Sequence, residues 1–156
     1  MQHDEFHSQL TLDPKGRLTL PVALREALAK EGHNSLVIVA LNGPKGGLAF
    51  FIPEAYDRII KGRVRNADPF AGGTMNYLRA VAATSQTVAL DSAGRVLVPP
   101  LLRKMVGMDR EVVAFSSLDW FEVWDLSRWE RAFAHSVEQW DLETGNAGVP
   151  SGGEGE

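Results

Sequence analysis

Leu12-Asp13-Pro14-Lys15-Gly16-Arg17-Leu18-Thr19-Leu20-Pro21 returns as Leu90-Asp91-Ser92-Ala93-Gly94-Arg95-Val96-Leu97-Val98-Pro99, 78 positions later. Leu, Asp, Gly, Arg and Pro match, and the correspondence continues through Leu24/Leu102 and Arg25/Arg103. A doubled Asp-x-x-Gly-Arg stretch points to two copies of one small module. It presents two equivalent arginines, and paired arginines suit a partner that is itself repetitive.

Each copy reads as strand, turn, strand. Asp13 and Asp91 head the turns, where a carboxylate accepts a bond from a backbone N–H further on. Pro14 favours the second turn position, and Gly16 and Gly94 supply the left-handed residue. Arg17 and Arg95 then follow on a stiff platform. Two readings of these arginines are open from the residues alone. Each can pair with the aspartate of its own turn, a surface contact worth about 0–1 kcal/mol. Alternatively the planar fork can reach phosphate or the O6/N7 edge of guanine, and a two-stranded ribbon fits a DNA major groove. Lys15 adds charge to the first copy only, since its counterpart is Ala93. Arg25, Arg103 and Lys104 lie one helical turn past the prolines. They are either an exposed, salt-bridged helix face or phosphate contacts beside the turn.

Outward from the turns, the rest of each copy follows the same order. Pro21 starts a helix over 22–30 that Gly32 ends. Residues 36–41 and 48–52 read as a hairpin around the glycine-rich loop Asn42–Gly47, and Pro53-Glu54 opens a helix with Tyr56, Ile59 and Ile60 on its apolar side. In the second copy, strands are expected at 86–90 and 95–98. A helix from Pro99 follows, then a hairpin of 111–115 with 120–124, and a helix from Leu126 to about Gln139. Between the copies, residues 62–73 read as a linker carrying Arg63 and Arg65, and Thr74 as the cap of a helix through about Ala83. The aromatics Phe50, Phe51, Trp120, Phe121, Trp124 and Trp129 fall on strand and helix faces, which suits core and subunit interface better than base stacking.

These residues resemble the MraZ family of bacterial transcriptional regulators, within the broader AbrB-like class. The likeness spans about residues 5 to 133. It is carried by the two Asp-x-x-x-Arg signatures, Asp13/Arg17 and Asp91/Arg95, and by the ending Val123-Trp124-Asp125-Leu126-Ser127-Arg128-Trp129-Glu130. The resemblance implies an α+β fold of two AbrB-like swapped-hairpin repeats forming a pseudo-twofold β-barrel with flanking helices. Residues 5–61 would be the first repeat, 62–84 a connecting segment and helix, 85–140 the second repeat, and 141–156 a disordered acidic, glycine-rich tail. It also implies ring-shaped homo-oligomers of about eight subunits, in the cytoplasm and on the nucleoid. These would bind short repeats in the promoter of the division and cell-wall gene cluster. On that reading Arg17, Arg95 and Lys15 contact double-stranded DNA, while Asp13, Gly16, Asp91 and Gly94 shape the turns. The acidic, glycine-rich tail extends beyond the usual family end.

The bulk properties allow this. At 156 residues, with 44% apolar and 23% charged content, the chain has room for one domain or two small halves. Halves of about 50 residues are small for independent cores, so they are expected to pack together and the chain to oligomerise. No cysteine is present, which excludes disulfides and thiolate metal sites. No apolar run is long enough for a membrane span, and the N-terminus has no signal-peptide core. The net charge of −4 argues against a whole-surface basic footprint. Of the 16 basic and 20 acidic residues, however, 2 and 9 lie from Asp119 onward, so residues 1–118 hold 14 and 11. The body is mildly basic.

Enzymes find little support. His3 and His7 have metal-binding spacing only if helical, at a terminus that precedes a strand. No nucleophile triad, Walker loop or paired-carboxylate site stands out, and Gly43–Gly47 lacks the Lys-Ser/Thr of a phosphate loop. Neither a catalytic residue nor a cofactor is expected. The remaining alternatives are an oligomeric protein-binding scaffold with the acidic balance in its favour, and an antitoxin-like AbrB relative. The latter usually has one hairpin module, whereas two are fused here.

Overall fold

A computed structural model describes residues 7–117 and 119–146. Eight strands and six helices alternate along it: β1 (His7–Thr11), β2 (Arg17–Thr19), α1 (Val22–Lys30), β3 (Ser35–Val39), β4 (Leu48–Phe51), α2 (Pro53–Tyr56), α3 (Gly62–Asn66), α4 (Gly72–Thr84), β5 (Gln86–Ala89), β6 (Arg95–Leu97), α5 (Pro100–Met105), β7 (Glu111–Ser116), β8 (Phe121–Asp125) and α6 (Leu126–Asn146). The result is a mixed α+β fold built on antiparallel strands.

Six strands form one sheet in the order β1-β7-β8-β4-β3-β5, and β2 pairs with β6 in a separate ribbon. Each half lends its first strand to the other half. β1 pairs with β7 of the second copy, and β5 pairs with β3 of the first. The register is reciprocal about two centres. In the sheet, Leu48 faces Val123, Ala49 faces Glu122 and Phe50 faces Phe121. In the ribbon, Arg17 faces Leu97, Leu18 faces Val96 and Thr19 faces Arg95. The second pattern runs through residues exactly equivalent in the doubled motif, so the two copies meet there as like with like.

The strands do not close into a barrel. The six-stranded sheet ends at β1 and β5, and the ribbon is a two-stranded ladder of its own. Its strands are three residues each. Leu20 and Val98 each donate one bond beyond the ladder, to Gly94 and Gly16. Pro21 and Pro99, which follow, have no N–H with which to extend it. The expected hairpin partner of β2 was β1, yet only the Asp13 N–H to Arg17 C=O bond closes that turn, at 3.0 Å.

One core lies between ribbon, helices and sheet. Alternation turns Leu18, Leu20, Val96 and Val98 inward, where each is 1% exposed or less. Leu24, Leu28 and Leu102 cover them from α1 and α5, and Leu36, Ile38, Phe50, Phe121 and Val123 face them from the sheet strands within the same cluster. The rings of Phe50 and Phe121 stack at 4.8 Å between centroids across the central strand pair. The remaining aromatics divide differently. Phe51 is fully buried, while Trp129 links α6 to the sheet through Phe115 and Trp124 at 4.5 and 5.5 Å.

Three local expectations change. Residues 62–66 are helical, not a linker: the chain passes from α2 through a π-helical stretch, Asp57–Lys61, directly into α3. Gly62 costs such a helix only about 1 kcal/mol, and buried Ile60 holds the segment against the core. Arg63 and Arg65 therefore sit on a helix. Next, α4 begins at Gly72, which places Thr74 inside it, and its cap position, Ala71, makes no side-chain bond. Finally, α6 runs to Asn146, past the expected end near Gln139. The tail from residue 147 lies outside the described residues.

Candidate nucleic-acid interface

The ribbon's outer face follows from its inner one. With Leu18 and Val96 turned into the core, Arg17 and Thr19 on one strand and Arg95 and Leu97 on the other must point out. Arg17 lies opposite Leu97, and Arg95 opposite Thr19. The two arginines thus occupy diagonal positions on one face, about 7–8 Å apart at the backbone. The sequence alone placed each arginine beside its own turn. Their gathering on one surface is a product of the pairing between copies. Thr19 and the 48% exposed Leu97 complete the face, and neither was singled out from sequence.

Both turns are built alike. The Asp13 carboxylate accepts the Lys15 and Arg17 backbone N–H groups at 2.9 and 2.8 Å, and Arg17 Nε at 2.5 Å. Asp91 accepts the Ala93 and Arg95 N–H groups at 2.9 Å each, and Arg95 Nε at 2.7 Å. Gly16 and Gly94 take φ of 82° and 73°, the left-handed conformation this turn needs. The Arg17 backbone N–H is the main force holding the Asp13 carboxyl below 3.8. Desolvation opposes it, and the Arg17 side chain and the Lys15 N–H reinforce it. Asp91 is lowered in the same way, chiefly by the Arg95 N–H.

Both readings of the arginines are therefore met at once. Each ion pair uses only Nε. Among the described residues, the two terminal nitrogens of Arg17 and of Arg95 have no acceptor. The aspartate fixes the root of the guanidinium and leaves the outer edge of the fork, at side chains about a third exposed (32% and 35%), free for a ligand. A pre-oriented fork loses less rotamer freedom on binding than a free one. Lys15 is exposed on the first turn, beside this surface.

Arg25 and Arg103 do something else. Their Nε atoms donate to Leu20 and Val98 carbonyls, both at 3.0 Å. Their side chains cross to the opposite copy. A β-carbon at Gly16 would overlap the Arg103 guanidinium, and one at Gly94 would overlap the Arg25 stem. Lys104, by contrast, is exposed on α5. The glycines thus serve two needs, conformation and the close approach of an arginine, and only the first was legible from the turn pattern.

Away from the ribbon, His7 lies in β1 against Phe115 and Trp129, so it has no helical spacing to offer a metal. His3 lies outside the described residues. Asp125, 7% exposed, heads α6. It accepts the Ser127 hydroxyl at 2.7 Å, the Asp109 N–H at 3.0 Å and the Arg128 N–H at 3.3 Å. Burial works to raise its pKa, but these bonds and the Arg128 charge outweigh it and hold the carboxyl below 3.8. Arg128 reaches on to the Pro44 carbonyl and so pins the glycine-rich loop. No helix among the described residues is long and apolar enough to cross a membrane.

Comparison with known proteins agrees with this geometry. The family model described as "MraZ protein, putative antitoxin-like" matches residues 81–146. A protein of Chromobacterium violaceum named transcriptional regulator MraZ is 35% identical over 139 residues, covering 86% of this chain and 90% of its own. Proteins of the same name from Thiobacillus denitrificans and Solidesulfovibrio magneticus are 33% and 32% identical. They cover 82% and 80% of this chain, and 84% and 80% of their own lengths. A doubled Asp-x-x-Gly-Arg turn, a ribbon that pairs its two copies, and these likenesses across most of the sequence lead to one statement: the chain belongs to the MraZ family.

Proposed function

We propose that this chain is a transcriptional regulator that acts by binding short, closely spaced repeats in promoter DNA as a homo-oligomer, without catalytic activity or cofactor. The observation that carries the reading is the ribbon's outer face. Two guanidinium groups, each held at Nε, stand on one two-stranded element of a size that fits a major groove. Bidentate contact to guanine or phosphate is the chemistry such forks perform. Arg17 and Arg95 are the principal contacts, and Lys15 adds a phosphate contact on one side. The relatives' name, transcriptional regulator, supports the same reading.

Two arginines offer too little contact for useful affinity alone. Several copies on a ring bind neighbouring repeats together, so effective concentration multiplies weak contacts. Association is supported by α6, whose Phe133, Val137 and Trp140 form an exposed apolar stripe. On this reading the exchange of first strands is the swapped-hairpin arrangement of two AbrB-like repeats, 5–61 and 85–140, joined through 62–84. The ring has about eight subunits. The target is the promoter of the division and cell-wall gene cluster, and the protein works in the cytoplasm at the nucleoid.

A mobility-shift titration on the gene's own upstream region tests this. Wild type should shift the fragment, and Arg17→Ala and Arg95→Ala should each weaken binding about 5- to 150-fold, the range for one bidentate contact. Each should also flatten the dependence of log K on log salt by about 0.9. Unchanged binding by both variants, with the oligomer intact, would falsify the assignment.

A further inference from the structure

The arginines of α1 and α5 lie where a helix of one copy meets the turn of the other, and the contacts form two closed circuits. Val98 N–H donates to Gly16 C=O at 3.0 Å, Val98 C=O accepts Arg103 Nε at 3.0 Å, and the Arg103 guanidinium lies against Gly16 where a β-carbon would otherwise be. Leu20 N–H donates to Gly94 C=O at 3.0 Å, Leu20 C=O accepts Arg25 Nε at 3.0 Å, and the Arg25 stem lies against Gly94. Gly16 and Gly94 are the residues immediately before Arg17 and Arg95.

We infer that Arg103 and Arg25 are positioning residues, each carried on one copy and holding the Asp-x-x-Gly-Arg turn of the other, so that both copies set the aim of each outward arginine. This rests on the DNA-binding reading above for its functional consequence, but not for the mechanical one. Each circuit pins the turn's last residue before the arginine, and the aspartate pins the arginine's own N–H and Nε. The guanidinium is then held from both sides. A lysine cannot replace this: it has no Nε fork on a planar head to lie flat on a glycine while donating along its edge.

The alternative is that Arg103 and Arg25 are independent phosphate contacts, and charge alone would then suffice. Arg103→Lys and Arg25→Lys separate the two. Positioning predicts that Arg103→Lys loses nearly as much affinity as Arg103→Ala, and that adding Arg103→Ala to Arg17→Ala costs little more than Arg17→Ala alone. Retention of wild-type affinity by Arg103→Lys, or independent additive losses in the double variant, overturns the inference.

Hydrogen exchange on the full-length protein without DNA reads the mechanical half. Arg103→Lys should speed exchange about tenfold, the size of one lost hydrogen bond, in a peptide covering 12–20, and leave 90–97 unchanged. Arg25→Lys should do the reverse. Equal loosening of both turns by either variant, or of neither, overturns it. If wild type binds no upstream DNA, the functional reading fails, while the crossed exchange pattern still decides the positioning role.

Discussion

Gly16→Ala and Gly32→Ala make a matched pair that isolates the contact between copies. Both glycines have positive φ, 82° and 76°. An alanine at either position pays the left-handed penalty of about 1–2 kcal/mol. Around Gly32 nothing lies within 4 Å of the added carbon, so that penalty is the whole cost. At Gly16 the carbon also displaces the Arg103 guanidinium, with its 3.0 Å bond to Val98 C=O. One such bond is worth about 0.5–1.5 kcal/mol, which puts Gly16→Ala at about 2–3 kcal/mol. For a chain of this size, thermal midpoints fall about 2–4 °C per kcal/mol. Gly16→Ala should then melt about 2–6 °C below Gly32→Ala at equal protein concentration. In an Arg103→Ala background the displaced group is gone and the two alanines should cost the same. If Gly16→Ala melts with or above Gly32→Ala, or if the gap survives in that background, Arg103 is not held where the structure puts it.

Asp125→Ala removes the α6 cap and strands the Asp109 N–H, and should lower stability by about 2 kcal/mol, seen as a drop of about 4–8 °C in thermal denaturation. The turn carboxylates set a pH dependence of known sign. Asp13 and Asp91 have folded-state values below 3.8, so their contribution is complete above that value and fades as pH falls through the lowered one. Melting of wild type against Asp13→Asn/Asp91→Asn should show a gap that is constant near neutrality and narrows only in acid below 3.8. Leu97→Asp, on the exposed face of the ribbon, should leave the melting point within about 0.5 kcal/mol of wild type, as surface changes usually do. It should nevertheless abolish the mobility shift, because it sets a negative charge opposite Arg17.

The doubled motif made the strands, turns and site arginines legible, because alternation and turn chemistry are local. Leu18 and Leu20 had to face one way and Arg17 the other, and the Asp-x-x-Gly pattern required a left-handed glycine. The partner of each strand was not legible. β2 joins β6 across 78 positions, and nothing in either three-residue strand distinguishes that choice from β1. For the same reason, the side-by-side arrangement of Arg17 and Arg95, and the crossing of Arg25 and Arg103, emerged only from the fold. Gly62 misled in the other direction. Read as a stop, it is a tolerated helical residue because Ile60 on the same segment is buried. Thr74 looked like a cap, but α4 begins two residues earlier on glycine.

A photoreactive phenylalanine analogue at Thr19, the exposed position directly opposite Arg95, asks the molecule where duplex lies during binding. Irradiation with a fragment of the upstream region should crosslink it, whereas the same group at Phe133 on α6 should not. Crosslinking from position 133 alone, by protein that still shifts the fragment, would put DNA on a different surface and contradict the arginine ribbon as the reading head.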